Sequence, residues 1–260
     1  MFSGAWILPQ AFSLGLITIH YYGLVMALAV AAGFYIAKRR TEKHQIDSKV
    51  AEDVIFWAII GGFIGARLYH VLSSFSYYQH HALDILKVWQ GGLSIFGAIF
   101  GGLISIWVYK KLTTNHFSLF TFLNWLTPSI IIGQIIGRFG NLFNYEAFGY
   151  STNLPWKMFV PYGFRPIQYQ SSNFFHPWFL YEQIGLLMVL MLITTLEKTG
   201  KTSLFVWYLL LYNILRFGLE FLRIDSPFIY GFRQNAAISL LIILLTSILL
   251  FLTYPRNEKS

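Results

Sequence analysis

Apolar runs long enough to cross a bilayer recur along this chain, separated by polar breaks. Roughly 20 consecutive apolar residues span the hydrocarbon core as a helix. Stretches of that character lie at about 21–38, 50–72, 92–110, 119–138, 177–196, 203–222 and 235–254. They predict an all-α integral membrane protein with seven transmembrane helices, forming a single domain over 1–260. One break is long. Residues of about 142–176, including "STNLPWKMFVPYGFRPIQYQSSNFFHP", are too polar to span and dense in aromatics, Pro and Asn. This insert reads as a lid or collar at the outer interface, or as a plain loop. Glycines four residues apart, at Gly61 and Gly65, Gly97 and Gly101, and Gly133 and Gly137, predict close helix–helix approach. Gly91 and Gly92 stand at the start of a span, a placement shared with anion cradles that use open backbone N–H groups.

Composition supports the membrane reading. The chain is 56% hydrophobic and 12% charged, about half the charged share of a soluble domain. A net charge of +8 is compatible with nucleic-acid binding, but its placement argues otherwise. Lys38, Arg39, Arg40, Lys43, Lys49, Lys110, Lys111, Lys198, Lys201, Arg256 and Lys259 fall on one side of the predicted spans. Lys87, Lys157, Arg165, Arg223 and Arg233 fall on the other. The positive-inside rule then sets the N-terminus outside and the C-terminus in the cytoplasm. No basic residue precedes Lys38, so residues 1–30 lack the charged region of a signal peptide. They read instead as an interfacial segment leading into the first span, with Trp6, Tyr21 and Tyr22 suited to a headgroup belt. Cysteine is absent, which excludes disulfides, thiolate metal sites and a cysteine nucleophile on this chain. No pair of histidines has metal-ligand spacing with a carboxylate, so neither a metal nor another cofactor is expected.

The remaining basic residues, Arg67, Arg138 and Arg216, fall within spans or at their ends. An Arg there costs at least about 2.5 kcal/mol unless it snorkels or finds a partner. "YNILRFGLE" puts Tyr212, Arg216 and Glu220 on one helix face, a turn apart. Taken alone, that pattern fits a self-neutralising ion pair equally well. "GRFGNLFNYEAFG" at 137–149 repeats the chemistry with Arg138, Asn141, Asn144 and Glu146. "FFHPWFLYEQIG" adds His176 and Glu182 at the outer start of the fifth span, and His70 follows Arg67 by a turn. Two sets of Arg and carboxylate near one side suggest a shared polar pocket for an anionic headgroup, since the guanidinium fork matches phosphate.

"GRFGNLFNYEAFG" resembles the signature of the phosphatidylglycerol–prolipoprotein diacylglyceryl transferase family, with Leu142 where Phe is usual. "YYG" at 21–23, "GGFIGARLYHVL" at 61–72, "WQGGLSIFG" at 89–97, "HPWFLYE" at 176–182 and "RFGLEFLRID" at 216–225 match further family blocks in order. The resemblance covers nearly the whole chain. It implies an enzyme of the bacterial cytoplasmic (inner) membrane, with seven spans and the N-terminus outside. Such an enzyme moves the diacylglyceryl group of phosphatidylglycerol to the lipobox cysteine of a prolipoprotein signal peptide, forms a thioether and releases glycerol phosphate. By motif, Arg138, Arg216, Glu146 and Glu220 would be catalytic. Asn141, Asn144, Tyr22, Arg67, His70, Tyr212, His176 and Glu182 would bind substrate. The expected partners are phosphatidylglycerol, prolipoproteins and the bilayer, without nucleic acid, and the protein would act as a monomer.

The sequence departs from the family at Phe96, where many members carry a histidine assigned as a base. Phe cannot take a proton. Either the base lies elsewhere, with His70, Glu146 and Tyr22 as substitutes, or Arg activates the thiol without one, or the protein is a non-catalytic phosphatidylglycerol-binding relative. A small transporter is the rival from another class, because paired intramembrane charges also mark ion paths. It would favour internal repeats, and none is evident.

Overall fold

The computed structural model describes residues 8–15, 17–44, 46–113, 118–200, 203–224, 226–229 and 231–253. Trp6, Lys201, Arg256 and Lys259, used above for the interfacial belt and the charge bias, lie outside the described residues. The long helices are α1 (Tyr21–Arg40), α2 (Ser48–Ser73), α4 (Ile95–Leu112), α5 (Leu119–Gly137), α7 (Trp178–Glu197), α8 (Leu204–Glu220) and α9 (Gln234–Thr253). Two single-turn helices, α3 (Phe75–Tyr78) and α6 (Gly140–Asn144), sit between them. Each predicted span therefore has its helix. Among the described residues, six helices are long and apolar enough to cross a membrane. The remaining long helix, α8, has 17 residues and carries Arg216 and Glu220 in its last five positions. Much of the surface of these helices is large and apolar, with Leu28, Phe63, Ile104, Met191 and Leu245 all exposed, as on a lipid-facing surface.

Three antiparallel hairpins are present among the described residues: β1 (Ala11–Leu14) with β2 (Ile17–His20), β3 (Met158–Phe159) with β4 (Phe174–Phe175), and β5 (Phe228–Ile229) with β6 (Phe232–Arg233). The first makes the interfacial segment a hairpin. Its strands join through Gly15, whose positive φ of 63° is a conformation glycine adopts without steric cost. The second orders the middle of the insert.

The chain forms two compact units, one from Met1–Ala37 with Leu123–Ser260, the other from Lys38–Phe122. In the second unit α2 and α4 pack backbone to backbone. A Cβ on Gly61 would lie 2.7 Å from the Gly101 carbonyl, and one on Gly65 would lie 2.8 Å from the Gly101 Cα. The predicted glycine spacing thus produces the close approach. Ser105 Oγ reinforces it by donating to the Trp57 carbonyl at 2.7 Å. The start of α2 is capped by Asp47, which accepts from Lys49 N at 2.8 Å and Val50 N at 3.1 Å. Gly101→Val should force the helices apart and sharply lower the protein's midpoint in a detergent-unfolding titration. Gly102→Ala, whose added Cβ would meet the Ala58 carbonyl at 3.3 Å, should cost far less. Equal midpoints for the two variants would refute that contrast.

In the first unit Gly133 and Gly137 bring α5 onto α1, with 3.5 Å from an added Cβ to the Ala29 carbonyl and to Met26 Sδ, respectively. The core beneath the insert gathers Tyr145, Phe148, Val160, Phe175, Trp178 and Phe179. The inner core gathers Ile131, Leu186, Val189, Ile193, Leu204 and Tyr208 from α5, α7 and α8. The start of α8 is tied to α5 by Asn124, whose Oδ1 accepts from Phe205 N at 3.0 Å and from Ser203 Oγ at 2.9 Å.

Candidate active site

The first unit brings Arg138 and Arg216, one from each predicted set, together through Glu182. This residue lies in the first turns of α7, where the helix dipole favours a negative charge. It is fully buried. Its Oε1 accepts from Arg138 Nη2 at 2.7 Å and from the Tyr212 hydroxyl at 2.9 Å. Its Oε2 lies 3.8 Å from Arg216 Nη1. Arg216 in turn pairs with Glu220 Oε2 at 3.2 Å, as the one-turn spacing predicts. Tyr208 extends the same face of α8 by another turn, stacks on Tyr212 and donates to Gln134 Oε1 at 2.9 Å.

Glu220 is equally buried and is held from a direction the sequence did not suggest. Asn235, at the start of α9, donates to its Oε1 at 2.9 Å. Arg233, two residues earlier, donates to the Glu220 carbonyl at 3.0 Å and the Arg223 carbonyl at 2.6 Å. A cation there satisfies carbonyls that a helix leaves open at its C-terminus.

The signature segment builds a second cluster. α6 ends at Tyr145, which has φ 52°, and Ala147 follows with φ 55°. Two non-glycine residues in the left-handed region within three positions are uncommon. They flank Glu146 and fold it back over α6, where its Oε1 accepts from Asn141 Nδ2 at 2.9 Å and Asn144 Nδ2 at 3.4 Å. The turn is pinned by Glu146 N to the Asn141 carbonyl at 3.1 Å, and Ala147 presents its own carbonyl to Phe179 N at 3.0 Å. Burial raises the pKa of the Tyr145 hydroxyl, which donates to the Leu8 carbonyl at 2.9 Å. Tyr22 lies against Gly140, where any Cβ would meet its ring at 2.7 Å. Because Ala147 bears a left-handed conformation that costs L-residues about 1–2 kcal/mol, Ala147→Gly should raise the unfolding midpoint or leave it unchanged. Ala147→Val should lower it. A more stable Val variant would remove the strain account.

His176 stands apart from the Arg pairs. Its Nδ1 is 2.8 Å from the Tyr181 hydroxyl, which also accepts from Trp156 Nε1 at 2.9 Å. This chain ties the insert to α7.

Arg67 and His70 belong to the second unit. Arg67 is buried, and its fork is occupied by backbone: Nε on the Ile85 carbonyl at 2.8 Å, Nη1 on Gly91 at 2.7 Å and Gly92 at 3.0 Å, and Nη2 on Asp84 at 2.5 Å. The Gly91–Gly92 pair, with φ 92° and 74°, thus turns its carbonyls to a cation. The His70 ring packs beside Gly92 and edge-on to Tyr78. Phe96 is exposed at the start of α4, with its ring 6.3 Å from that of Tyr69. In the connecting loop, a hydrogen bond from Lys87 and then one from Tyr77 hold the Asp84 carboxyl below its usual range. Its contribution to folding is therefore present above the ordinary carboxylate pKa and is lost as pH falls through the lowered value.

Residues 9–252 match the family described as prolipoprotein diacylglyceryl transferase. The chain belongs to that family. A relative from Thermotoga maritima, named phosphatidylglycerol–prolipoprotein diacylglyceryl transferase, is 37% identical over 249 residues, covering 94% of this chain and 85% of its own. Relatives of the same name from Acaryochloris marina and Trichormus variabilis are 37% and 40% identical, covering 90% and 89% of this chain and 86% and 84% of theirs. The resemblance read from the signature blocks is thereby borne out at the level of the family. The structure adds residues that motif reading did not single out for the site. Trp178, Arg223, Arg233 and Asn235 all contact the charged cluster or its backbone. Asn235 and Arg233 lie 15 and 13 positions beyond Glu220, and no helical period could have linked them.

Proposed function

We propose that this chain is a phosphatidylglycerol–prolipoprotein diacylglyceryl transferase, acting from the outer leaflet of the bacterial cytoplasmic membrane. Family membership over nearly the full length carries the reaction class. The paired Arg138–Glu182–Arg216–Glu220 network carries the assignment of the site. In this reading α8 is a seventh span, the N-terminus is outside, the C-terminus is cytoplasmic, and the monomer suffices.

The chemistry is a displacement at carbon. The lipobox thiol loses its proton to solvent water, and its sulfur attacks the glycerol carbon of the diacylglyceryl group that bears the phosphate ester. The C–O bond breaks, a C–S thioether forms, and glycerol phosphate leaves with the bonding pair. The phosphodiester begins with one negative charge and the leaving group gains another. Arg138 and Arg216 bring positive charge beside Trp178, and each is paired with a carboxylate, Glu182 or Glu220. Held in place, the two guanidiniums stabilise the charge that grows on the departing phosphate. Asn141, Asn144, Glu146 and Tyr22 would shape the glycerol end. The same positive field lowers the pKa of a nearby thiol, so no proton acceptor is required at Phe96.

A transfer assay tests the reading. Purified protein is mixed with phosphatidylglycerol and a lipobox peptide carrying one Cys, and peptide mass and released glycerol phosphate are followed. A Cys→Ser peptide and phosphatidylethanolamine serve as controls. Diacylglyceryl peptide should form only with Cys and phosphatidylglycerol. Lipid binding without product would make the protein a non-catalytic relative.

A further inference from the structure

The last turn of α5 leads directly to Arg138, and its backbone bonding changes there. Arg138 N still donates to the Gln134 carbonyl at 3.0 Å, as in a regular helix. Phe139 N, the α-helical partner of the Ile135 carbonyl, turns instead to the Ile136 carbonyl at 3.1 Å. Asn141 N then takes the Arg138 carbonyl at 3.2 Å as α6 begins. The tightened turn thus deprives the Ile135 carbonyl of its helical donor. Gln183 supplies another: its Nε2 reaches across from α7 and donates to that carbonyl at 2.8 Å. Gln183 is buried. A carbonyl only accepts, so this bond fixes which way the amide faces. The amide oxygen Oε1 is then left buried with no hydrogen-bond partner among the described residues. Burying an unpartnered acceptor is costly, and a methionine of similar shape would avoid that cost. The N–H donor is therefore the part of Gln183 that the fold uses.

We propose that Gln183 is a positioning residue whose side-chain amide holds the open end of α5 and thereby sets where Arg138 stands beside Glu182. Adjacent residues of α7 then grip one element at two points. Glu182 takes the Arg138 guanidinium at 2.7 Å, and Gln183 takes the backbone one helical turn earlier. The same turn of α5 is tied to α8 through Tyr208 and Gln134. The proposal rests on the transferase reading for what Arg138 acts on, and on the geometry alone for the grip. Gln183 does not touch the reacting atoms. It matters because a group that meets a transition state loses much of its effect when displaced by a fraction of its own length.

Gln183→Met keeps the length and bulk of the side chain and removes both the N–H donor and the unpartnered oxygen. Gln183→His returns a ring N–H donor to the same place. The purified variants are compared by unfolding midpoint, by kcat/KM in the transfer assay, and by retention of phosphatidylglycerol over phosphatidylcholine in native mass spectrometry, which reads folded protein only. Gln183→Met is also combined with Arg138→Met. The single Met variant should unfold close to the wild-type midpoint, because one unpartnered oxygen, on Gln183, is exchanged for another, on Ile135. Its kcat/KM should fall at least about tenfold and its phosphatidylglycerol retention at least about fivefold. The His variant should stay within about twofold of wild type in retention. In the Arg138→Met background no guanidinium is left to place, so Gln183→Met should change retention by less than about twofold. Native kcat/KM and retention in the single Met variant would overturn the proposal. So would an equal loss of retention in both backgrounds, a His variant no better than Met, or a wild-type protein with no preference for the anionic lipid. Wild-type protein that retains phosphatidylglycerol but transfers nothing would sink the transferase reading, and the two-background retention comparison would still decide the role of Gln183.

Discussion

Glu182→Ala is expected to lose both folding stability and transfer activity, with a larger loss of stability than any other single carboxylate replacement in the site. The side chain is fully buried and bridges Arg138 at 2.7 Å and Arg216 at 3.8 Å while accepting from Tyr212 at 2.9 Å. Removing one member of a buried ion pair strands its partner, at a cost of about 3–5 kcal/mol. Here Arg138 loses its carboxylate, and Arg216, only 12% exposed, keeps Glu220 alone. Glu182→Gln keeps an oxygen for Arg138 and Tyr212 but removes the charge, so its loss should be smaller. Denaturation midpoints of the three proteins in mixed detergent, alongside transfer rates, check the order wild type, Gln, Ala. A Glu182→Ala protein as stable as wild type would mean that the Arg pair finds water or lipid phosphate unaided.

Arg216→Lys should have the opposite signature, with nearly native stability and a rate lower by about a hundredfold or more. A lysine still neutralises Glu220 across one helical turn. It cannot present two parallel donors, and its compact ammonium spreads poorly over an indole. Arg216 sets Nη2 at 3.2 Å from Glu220 Oε2 and its guanidinium carbon 4.4 Å from the Trp178 centroid. The decisive measurement is kcat at saturating phosphatidylglycerol. A Lys variant with native kcat would reduce Arg216 to a charge that balances Glu220.

Much of the architecture was legible because lipid imposes a length on apolar runs, and each predicted run became a helix. The Tyr212–Arg216–Glu220 face was equally legible, since helical period alone aligns it. The roles of Arg67 and Trp178 were not. Every partner of Arg67 named above is a backbone carbonyl, a group present at every position and therefore silent in sequence. Trp178 follows His-Pro at a span entrance, where an aromatic ordinarily suggests a headgroup anchor. Its burial among cations depends on Arg223, 45 positions away, and on Arg138, 40 positions away. The hairpin at residues 11–20 had a readable cue in Gly15 between two short alternating segments, but the adjoining apolar span masked it.

The charge arrangement on α8 also bears on how the protein enters its membrane. Its 17 residues end with a guanidinium and a carboxylate that neutralise each other only in part, because Arg216 also leans on Glu182 of α7. A lone segment of that kind partitions poorly from an insertion channel into lipid. Supplied with α7 as an antiparallel hairpin, the same segment arrives with its counter-charge already in place. Integration of α8 should therefore depend on synthesis of α7 beside it. Glu182→Leu should lower glycosylation of a tag placed just after α8, which the native chain carries across the membrane.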